Sequence, residues 1–471
     1  MILRSEISPI HIPELDQDYL PASLWNQEFT KLGQRHGKIE IQIAITRPQG
    51  DGFLHQEVIL SPQAPDSWQL NLRHLERTIK FLIWGIGGNE ITIQGATEYL
   101  ETLQSIYSPN GPRSFDADFV NRVFQSPLSF KDAREAGMPE IITVSQTEDS
   151  QANLQGNRIG FDLGGSDRKC AALVNGEVIF SEEVPWDPYF EKDPAYHYQG
   201  IMDSLRLAAA HLPSVDAIGG SAAGVYVDNR VRAASLFRGV SEEAFEKQVT
   251  HMFLDIAKEW NDVPIRVVND GDVTALAGAM SLKSGNVLGL AMGTSAAAGY
   301  ADHQSQITPW LSELAFVPID YRDGAPEDEW SGDCGCAVQY FSQQGVSRLI
   351  GASGLPIDQS LSKADQLVAV QNAMAQEDDR AAAIYRSIGV YLGYSIPQFA
   401  RFYSIKHLLL LGRVMSGKGG ELIIQKAQEV LRDEFPELAA EIKISTPDEK
   451  MKRHGQAIAA ASLPKIESPS T

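Results

Sequence analysis

The sequence predicts an α/β fold preceded by an α+β segment, and three observations carry that expectation. Beyond Ser241, strand-like runs at 264–268, 287–292 and 406–411 alternate with helical stretches, the pattern of α/β architecture. Asn175-Gly176 separates two apolar runs, 171–174 and 177–180, which is a strong hairpin signal. Near the start, Ile39, Ile41, Ile43 and Ile45 alternate with Glu40, Gln42 and Ala44, the period-two signature of a strand with one buried face.

In the first part, residues 53–60 fit as the hairpin partner of that strand across Pro48-Gln-Gly-Asp-Gly52. Leu72, Leu75, Ile79 and Leu82 recur at helical spacing, 90–94 reads as a short strand, and Leu100, Leu103 and Ile106 form a second helical stripe. Gly85-Ile86-Gly87-Gly88 follows a helix and precedes a strand, the reverse of a nucleotide fingerprint, so it reads as a helix C-cap and turn. Residues 145–157 are polar with little to bury and read as a linker. Beyond it, 159–163 is a strand running into Gly164-Gly165, and 216–219 and 224–227 are strand-like. Residues 241–260 read as one helix, with Ser241 as its cap and Glu242 and Glu243 in the first turn, where the dipole favours them. A last helix is expected over 420–435.

Composition bounds the function. At ~100–200 residues per domain, 471 residues predict two to four domains or lobes. A hydrophobic fraction of 43% and a charged fraction of 21% are ordinary for a globular protein. The formal charge of −21 repels phosphate backbones and anionic lipid, so neither nucleic acid nor membrane is an expected partner. Three cysteines, Cys170, Cys334 and Cys336, cannot build a disulfide framework. No run reaches the ~18–20 apolar residues of a membrane helix, and Arg4, Glu6 and Pro9 are unlike a signal peptide, so the expected compartment is the cytoplasm.

Four segments could carry chemistry. Asp162-Leu-Gly-Gly-Ser166 places a glycine pair after a strand, where amides can approach phosphate oxygens and an aspartate can hold hydrated Mg²⁺. Ser166 adds a hydroxyl and Lys169 lies close by, although the same string also occurs in plain hairpins. Asn269-Asp270 ends a strand and opens a helix. A carboxylate there can accept a proton from a hydroxyl, while on local evidence alone a helix N-cap at Asp270 or Asp272 is the better reading. Gly293-Thr294-Ser295 follows the strand at 287–292 and could donate to phosphate or form a tight packed turn. Gly412, after 408–411, with Gly417-Lys-Gly-Gly420 beyond it, could leave a flat surface for a nucleoside or simply start a helix.

Taken in order, these segments resemble the actin-like ATPase superfold, a two-lobed ribonuclease H-like architecture, and within it the ROK family of sugar kinases and repressors. The resemblance spans about 158–464. Asp162-Leu-Gly-Gly-Ser166 and Gly293-Thr-Ser295 resemble its two phosphate loops. Ile218-Gly-Gly-Ser-Ala-Ala-Gly224 resembles a segment near the sugar, and Val268-Asn-Asp-Gly-Asp-Val-Thr-Ala-Leu276 resembles the catalytic segment. Leu409-Leu-Leu-Gly-Arg-Val414 resembles the adenosine segment, with Gly412 and Arg413, and Gly455-Gln-Ala-Ile-Ala-Ala-Ala461 the terminal helix. Residues 1–150 lie outside the resemblance and are expected to form an α+β domain of unassigned role, while the resemblance implies a first lobe over 157–270 closed by a helix at 453–464, and a second lobe over 271–452.

It also implies ATP with Mg²⁺ and a sugar substrate. Asp270 would be the base and Asp162 would position Mg²⁺ through water. Gly164, Gly165, Ser166, Lys169, Gly293, Thr294 and Ser295 would surround the phosphates. Gly224, Asn269, Glu313 and Phe316 would line the sugar site. Two departures stand out. Phe316 replaces a histidine that touches sugar and binds a structural zinc in the family, and Asp333-Cys-Gly-Cys336 lacks the rest of the cysteine set, which argues against zinc. Residues 1–145 lack the helix-turn-helix of the repressor branch. The leading expectation is therefore ATP-dependent phosphorylation of a sugar hydroxyl. The alternative is a nucleotide- or sugar-binding regulator with little turnover, and a homodimer is compatible with either.

Overall fold

The computed structural model describes residues 2–141, 154–447 and 455–466. Residues 145–153 of the expected linker lie outside that set. The chain folds as two compact units. The first comprises Met1–Val144, Leu290–Ala298 and Trp310–Thr446, the second Ser145–Gly289, Gly299–Pro309 and Pro447–Thr471.

The first unit opens with β1 (Lys38–Thr46), β2 (Gly52–Leu60), β3 (Glu90–Gln94) and β4 (Ser129–Asp132), arranged β2-β1-β3-β4. The β1–β2 hairpin has the expected register, with Ile45 opposite Phe53. Ile41, Ile43 and Ile45 are buried, and β-branched residues on one pleated face are what a half-buried strand favours. The helix Ser67–Phe81 continues into a π-turn, Leu82–Ile86, that ends at Gly87 with φ +84°. The glycines at 85–88 thus end a helix, as their order predicts.

The early segment makes contacts with residues far along the chain within the first unit. The Ala22 amide donates to the Ile319 carbonyl (2.9 Å) and the Tyr321 amide to that of Leu20 (2.8 Å), while Trp25 packs on Tyr321 at 5.4 Å. These pairings join positions about 300 apart in the chain, and a change in compositional style at residue 145 carries no information about them.

The second unit holds β5 (Asn157–Leu163), β6 (Asp167–Val174), β7 (Glu177–Pro185), β8 (Ala217–Ala222), β9 (Val225–Val227), β10 (Arg230–Ala233) and β11 (Ile265–Asn269). Its five-stranded sheet runs β11-β8-β5-β6-β7, with β5, β8 and β11 parallel and β6 and β7 antiparallel. Asn175 (φ 50°) and Gly176 (φ 82°) make the tight turn between β6 and β7. The expected helix over 241–260 is interrupted. Glu242–Ala244 is α-helical, Phe245–Val249 a π-turn, and Met252–Glu259 α-helical again. Both the amide and the hydroxyl of Thr250 donate to the Phe245 carbonyl (2.9 and 3.3 Å), which diverts the regular ladder.

The helix Gln456–Ser462 lies against β5 and β8. A Cβ at Gly160 would overlap the Ala457 carbonyl, and one at Gly219 the Ala460 carbonyl. Bare backbone on two adjacent strands is what lets the alanine-rich helix approach so closely.

The remaining sheet, β13-β12-β14-β15, is formed by β12 (Val287–Met292), β13 (Ala296–Ala301), β14 (His407–Leu411) and β15 (Lys443–Ser445). The chain passes between the units within β12 and β13.

Candidate active site

In the second unit, the register of three parallel strands sets the geometry. Asp162 on β5 is level with Ser221 on β8, which is level with Val268 on β11. Asp162, Ser221 and the Asn269-Asp270 pair therefore gather at the carboxyl ends of adjacent strands, the place where open α/β sheets bind ligands. The Ser221 hydroxyl donates to Asp162 Oδ1 at 2.5 Å, and Ser221 is fully buried. Sequence reading quotes Ser221 within its motif and gives it no role, because only the strand register brings it beside Asp162.

Both carboxylates are partly exposed yet closely surrounded by protein. Burial raises Asp162 most, the Ser221 hydroxyl pulls it down, the charge of Asp270 pushes it up again, and the result is about 6. Burial likewise raises Asp270, opposed by the Gly271 amide. That amide lies 3.0 Å from Asp270 Oδ1.

The helix Asp270–Leu282 is capped by Asn269, whose Oδ1 accepts from the Gly271 amide at 2.7 Å. Neither Asp270 nor Asp272 is the cap. The Asn269 amide group also donates to the Gly224 carbonyl at 2.7 Å, and Gly224 (φ +136°) sits where a Cβ would crowd Ala233 and Ala234. Asn269 and Gly224 are thus brought together, and Asn269 fixes where Asp270 begins its helix.

The turn Gly164-Gly165-Ser166 closes the β5–β6 hairpin, with the Gly164 amide donating to the Asp167 carbonyl (2.9 Å) and Ser166 Oγ to Asp167 Oδ2 (2.9 Å). Lys169 faces Asp162 across this hairpin, with Nζ 3.5 Å from Asp167 and 3.8 Å from Glu183.

The first unit brings the other glycine segments together. Gly293 donates its amide to the Ser295 carbonyl and accepts from the Gln343 amide, both at 2.9 Å, so Gly293-Thr294-Ser295 is a tight turn. Gly412 (φ +97°) packs where a Cβ would overlap Met292, directly before that turn. Arg413 is exposed and starts a short 3-10 helix, Arg413–Met415.

Residues 311–313 run along the π-turn, with the Leu311, Ser312 and Glu313 amides donating to the carbonyls of Ile86, Gly85 and Trp84 at 2.9–3.0 Å. The Phe316 ring stacks on Trp84 at 4.2 Å and tilts against Phe115 at 5.9 Å. The apolar ring thus has a partner from residues 1–144.

Asp333-Cys-Gly-Cys336 rests on a buried ion network. Lys80 Nζ lies 2.8 Å from Asp333 and 3.2 Å from Asp116, Arg77 reaches Asp333 (3.1 Å) and Glu76 (2.6 Å), and Arg113 reaches Glu76 (2.6 Å) and Asp333. Trp84 Nε1 donates to Asp116 at 2.7 Å. Burial pushes the Cys336 thiol up to about 12, and burial with the Asp333 charge raises Cys334. Among the described residues, no group of three His, Cys, Asp or Glu is placed to hold a metal.

Comparison with solved structures decides the architecture. The chain is similar to a ROK hexokinase from Thermus thermophilus, at 15% identity over 65% of this chain and 97% of that one, with a TM-score of 0.51. It is similar to a ROK-family glucokinase from Streptomyces griseus in complex with glucose and AMPPNP, at 17% identity over 66% of this chain and 99% of that one, with a TM-score of 0.50. Over the roughly two thirds of the chain that is covered, the fold is that of the ROK sugar kinases. No family model matches the chain, and no curated protein matches it in sequence. The ROK fold is an actin-like ATPase architecture, as the order of the glycine and aspartate segments implies.

Proposed function

We propose that this protein transfers a phosphoryl group from ATP to a sugar hydroxyl, with Asp270 as the base. The observation that carries the reading is the Asp162–Ser221–Asp270 arrangement at the carboxyl ends of β5, β8 and β11. It occurs within a fold otherwise found in a hexokinase and in a glucokinase bound to glucose and AMPPNP.

Asp270 accepts the proton of the attacking hydroxyl. Burial makes its carboxylate a stronger base, while the Gly271 amide holds one oxygen in place. Asn269 acts through Asp270 by fixing the helix start. Carboxylate and hydroxyl oxygens are hard donors that suit Mg²⁺, which typically needs only one or two carboxylates beside phosphate and water, so Asp162 fits that role. When bound, Mg²⁺ neutralises charge on the phosphates. Gly164, Gly165, Ser166 and Lys169 are assigned to the phosphates, as are Gly293, Thr294 and Ser295. Gly412 and Arg413 are assigned to the nucleoside. Gly224, Asn269, Glu313 and Phe316 are assigned to the surroundings of the sugar.

A second reading, a regulator that binds sugar or nucleotide without turnover, draws on Phe316, whose ring is engaged by Trp84 where the family has a polar group. A coupled ADP-release assay over hexoses, amino sugars and N-acetyl sugars separates the two. Sugar-dependent ADP release that Asp270→Asn abolishes supports the kinase. Calorimetric binding of nucleotide or sugar with no release for any member of the panel supports the regulator.

A further inference from the structure

The glycine loop after β5 is held from behind by a segment that sequence reading does not single out. The indole Nε1 of Trp186 donates to the Gly164 carbonyl at 2.7 Å, and the Trp186 amide donates to the Ser166 carbonyl at 3.1 Å. Two of the carbonyls of the loop are therefore engaged by one residue. Trp186 is itself buried and packs against the backbone of Gly200, where a Cβ would come within 3.3 Å of its ring. Three residues on, the Tyr189 phenol occupies the space in which a Cβ at Gly165 would stand. Arg238 lies over the Tyr189 ring at 4.1 Å and over Phe190 at 4.8 Å. His197, fully buried, places Nε2 3.0 Å from both the Pro188 and Leu236 carbonyls, which ties the Tyr189 segment to the Arg238 segment.

We propose that Trp186 and Tyr189 are positioning residues for the first glycine loop, and that the Tyr189 ring is what excludes a side chain at Gly165, whose backbone keeps its assignment to the phosphates. Glycine after a strand is ordinarily explained by the approach of the ligand. Here the side chain that needs the space belongs to the protein itself. With both carbonyls turned to Trp186, the loop is held in one conformation before any ligand arrives, and preorganisation of this kind is what makes backbone amides effective toward an anion. The link to phosphate rests on the kinase reading, whereas the Gly165–Tyr189 coupling does not.

A mutant cycle tests it in the full chain, using Gly165→Ala, Tyr189→Ala, the double variant and Trp186→Phe, which keeps a ring and removes the donor. Two readouts are taken: calorimetric binding of Mg²⁺-AMPPNP, and amide hydrogen exchange at 164–167 without ligand. Gly165→Ala and Trp186→Phe are each expected to speed exchange in the loop and to weaken AMPPNP about tenfold, the order expected when a buried carbonyl loses its donor or a loop shifts by a fraction of an ångström. The double variant should match Tyr189→Ala alone, because the three atoms nearest to the added methyl all belong to the phenol that is removed. Equal losses from Gly165→Ala in both backgrounds would overturn the proposal, since the methyl would then obstruct the nucleotide itself. Tighter AMPPNP binding by Tyr189→Ala would also overturn it, by making Tyr189 an obstruction. If the wild type binds no AMPPNP, the kinase reading fails, and the exchange cycle still decides whether Gly165 serves Tyr189.

Discussion

Ser221 holds Asp162 across the β5–β8 ladder through a 2.5 Å hydrogen bond, made by two residues that are register neighbours on parallel strands. The serine favours the ionised carboxylate, while burial and Asp270 oppose ionisation, leaving Asp162 at about 6 against an ordinary 3.8. As pH falls through about 6, Asp162 takes up a proton and loses its hold on Mg²⁺, so turnover and Mg²⁺-nucleotide affinity should fall together. Ser221→Ala removes the one hydroxyl favouring the charge and should move this acid limb to higher pH. A pH profile that does not differ between wild type and variant would sink the assignment. The stability effect has the opposite sign to that of a salt-bridged carboxylate. Between 3.8 and about 6 the folded state binds more protons than the unfolded one, so this group's contribution declines as pH rises through that window.

Asp270 and Asn269 should separate chemistry from folding. Asp270→Asn is expected to lower kcat by ~10²–10⁴-fold while nucleotide still binds. Its thermal stability should stay near wild type, because the helix cap is Asn269. Asn269→Ala removes the cap and the bond to the Gly224 carbonyl, and should cost ~0.5–2 kcal/mol in urea unfolding. Near-native turnover in Asp270→Asn would remove the base.

The buried network around Lys80 predicts a large loss from a single change. Burial alone would lower the Lys80 pKa, but the Asp116 and Asp333 carboxylates outweigh it and keep the ammonium charged. Lys80→Met strands Asp116 and weakens the support of Asp333, and should destabilise by ~3–5 kcal/mol. Replacing Lys80 and Asp116 together by apolar residues should cost less than Lys80→Met alone. A strictly additive pair would contradict the network.

The two thiols near this network should behave differently. Cys336 is fully buried and pushed to about 12, so it should resist an aromatic disulfide reagent until the chain unfolds. Cys334 is half-buried and should react in the folded state, though slowly. Elemental analysis should find less than one zinc per chain, and a tightly held stoichiometric zinc would require a different ligand set from the one described.

Much of the architecture was legible where local chemistry decides it. The isoleucine alternation gave β1, Asn175-Gly176 gave the β6–β7 turn, and Asp162-Leu-Gly-Gly marked the end of β5. What escaped depends on distant partners. The helix Asp379–Ala400 is buried on nearly all sides, contains Pro397, and uses Gly389 and Gly393 to approach Ile423, Lys426 and Val430, so it lacks the polar face that reveals a surface helix. Only register and packing reveal that Ser221 and Tyr189 lie beside Asp162 and Gly165. Trp84 gave no local hint that it would cover Phe316, more than 200 positions along the chain.

The contact of Gln456–Ser462 with Gly160 and Gly219 imposes an order on assembly. The strands β5 and β8 are translated well before the helix that lies on their bare backbone, and residues 310–446, which belong to the other unit, are made in between. During synthesis the second unit must therefore wait, with an apolar glycine-lined face open, until a later segment arrives, whereas domains continuous in sequence can generally fold as they emerge from the ribosome. An interval of that kind leaves bare strand backbone exposed on the nascent chain, where it is open to pairing with the wrong segment.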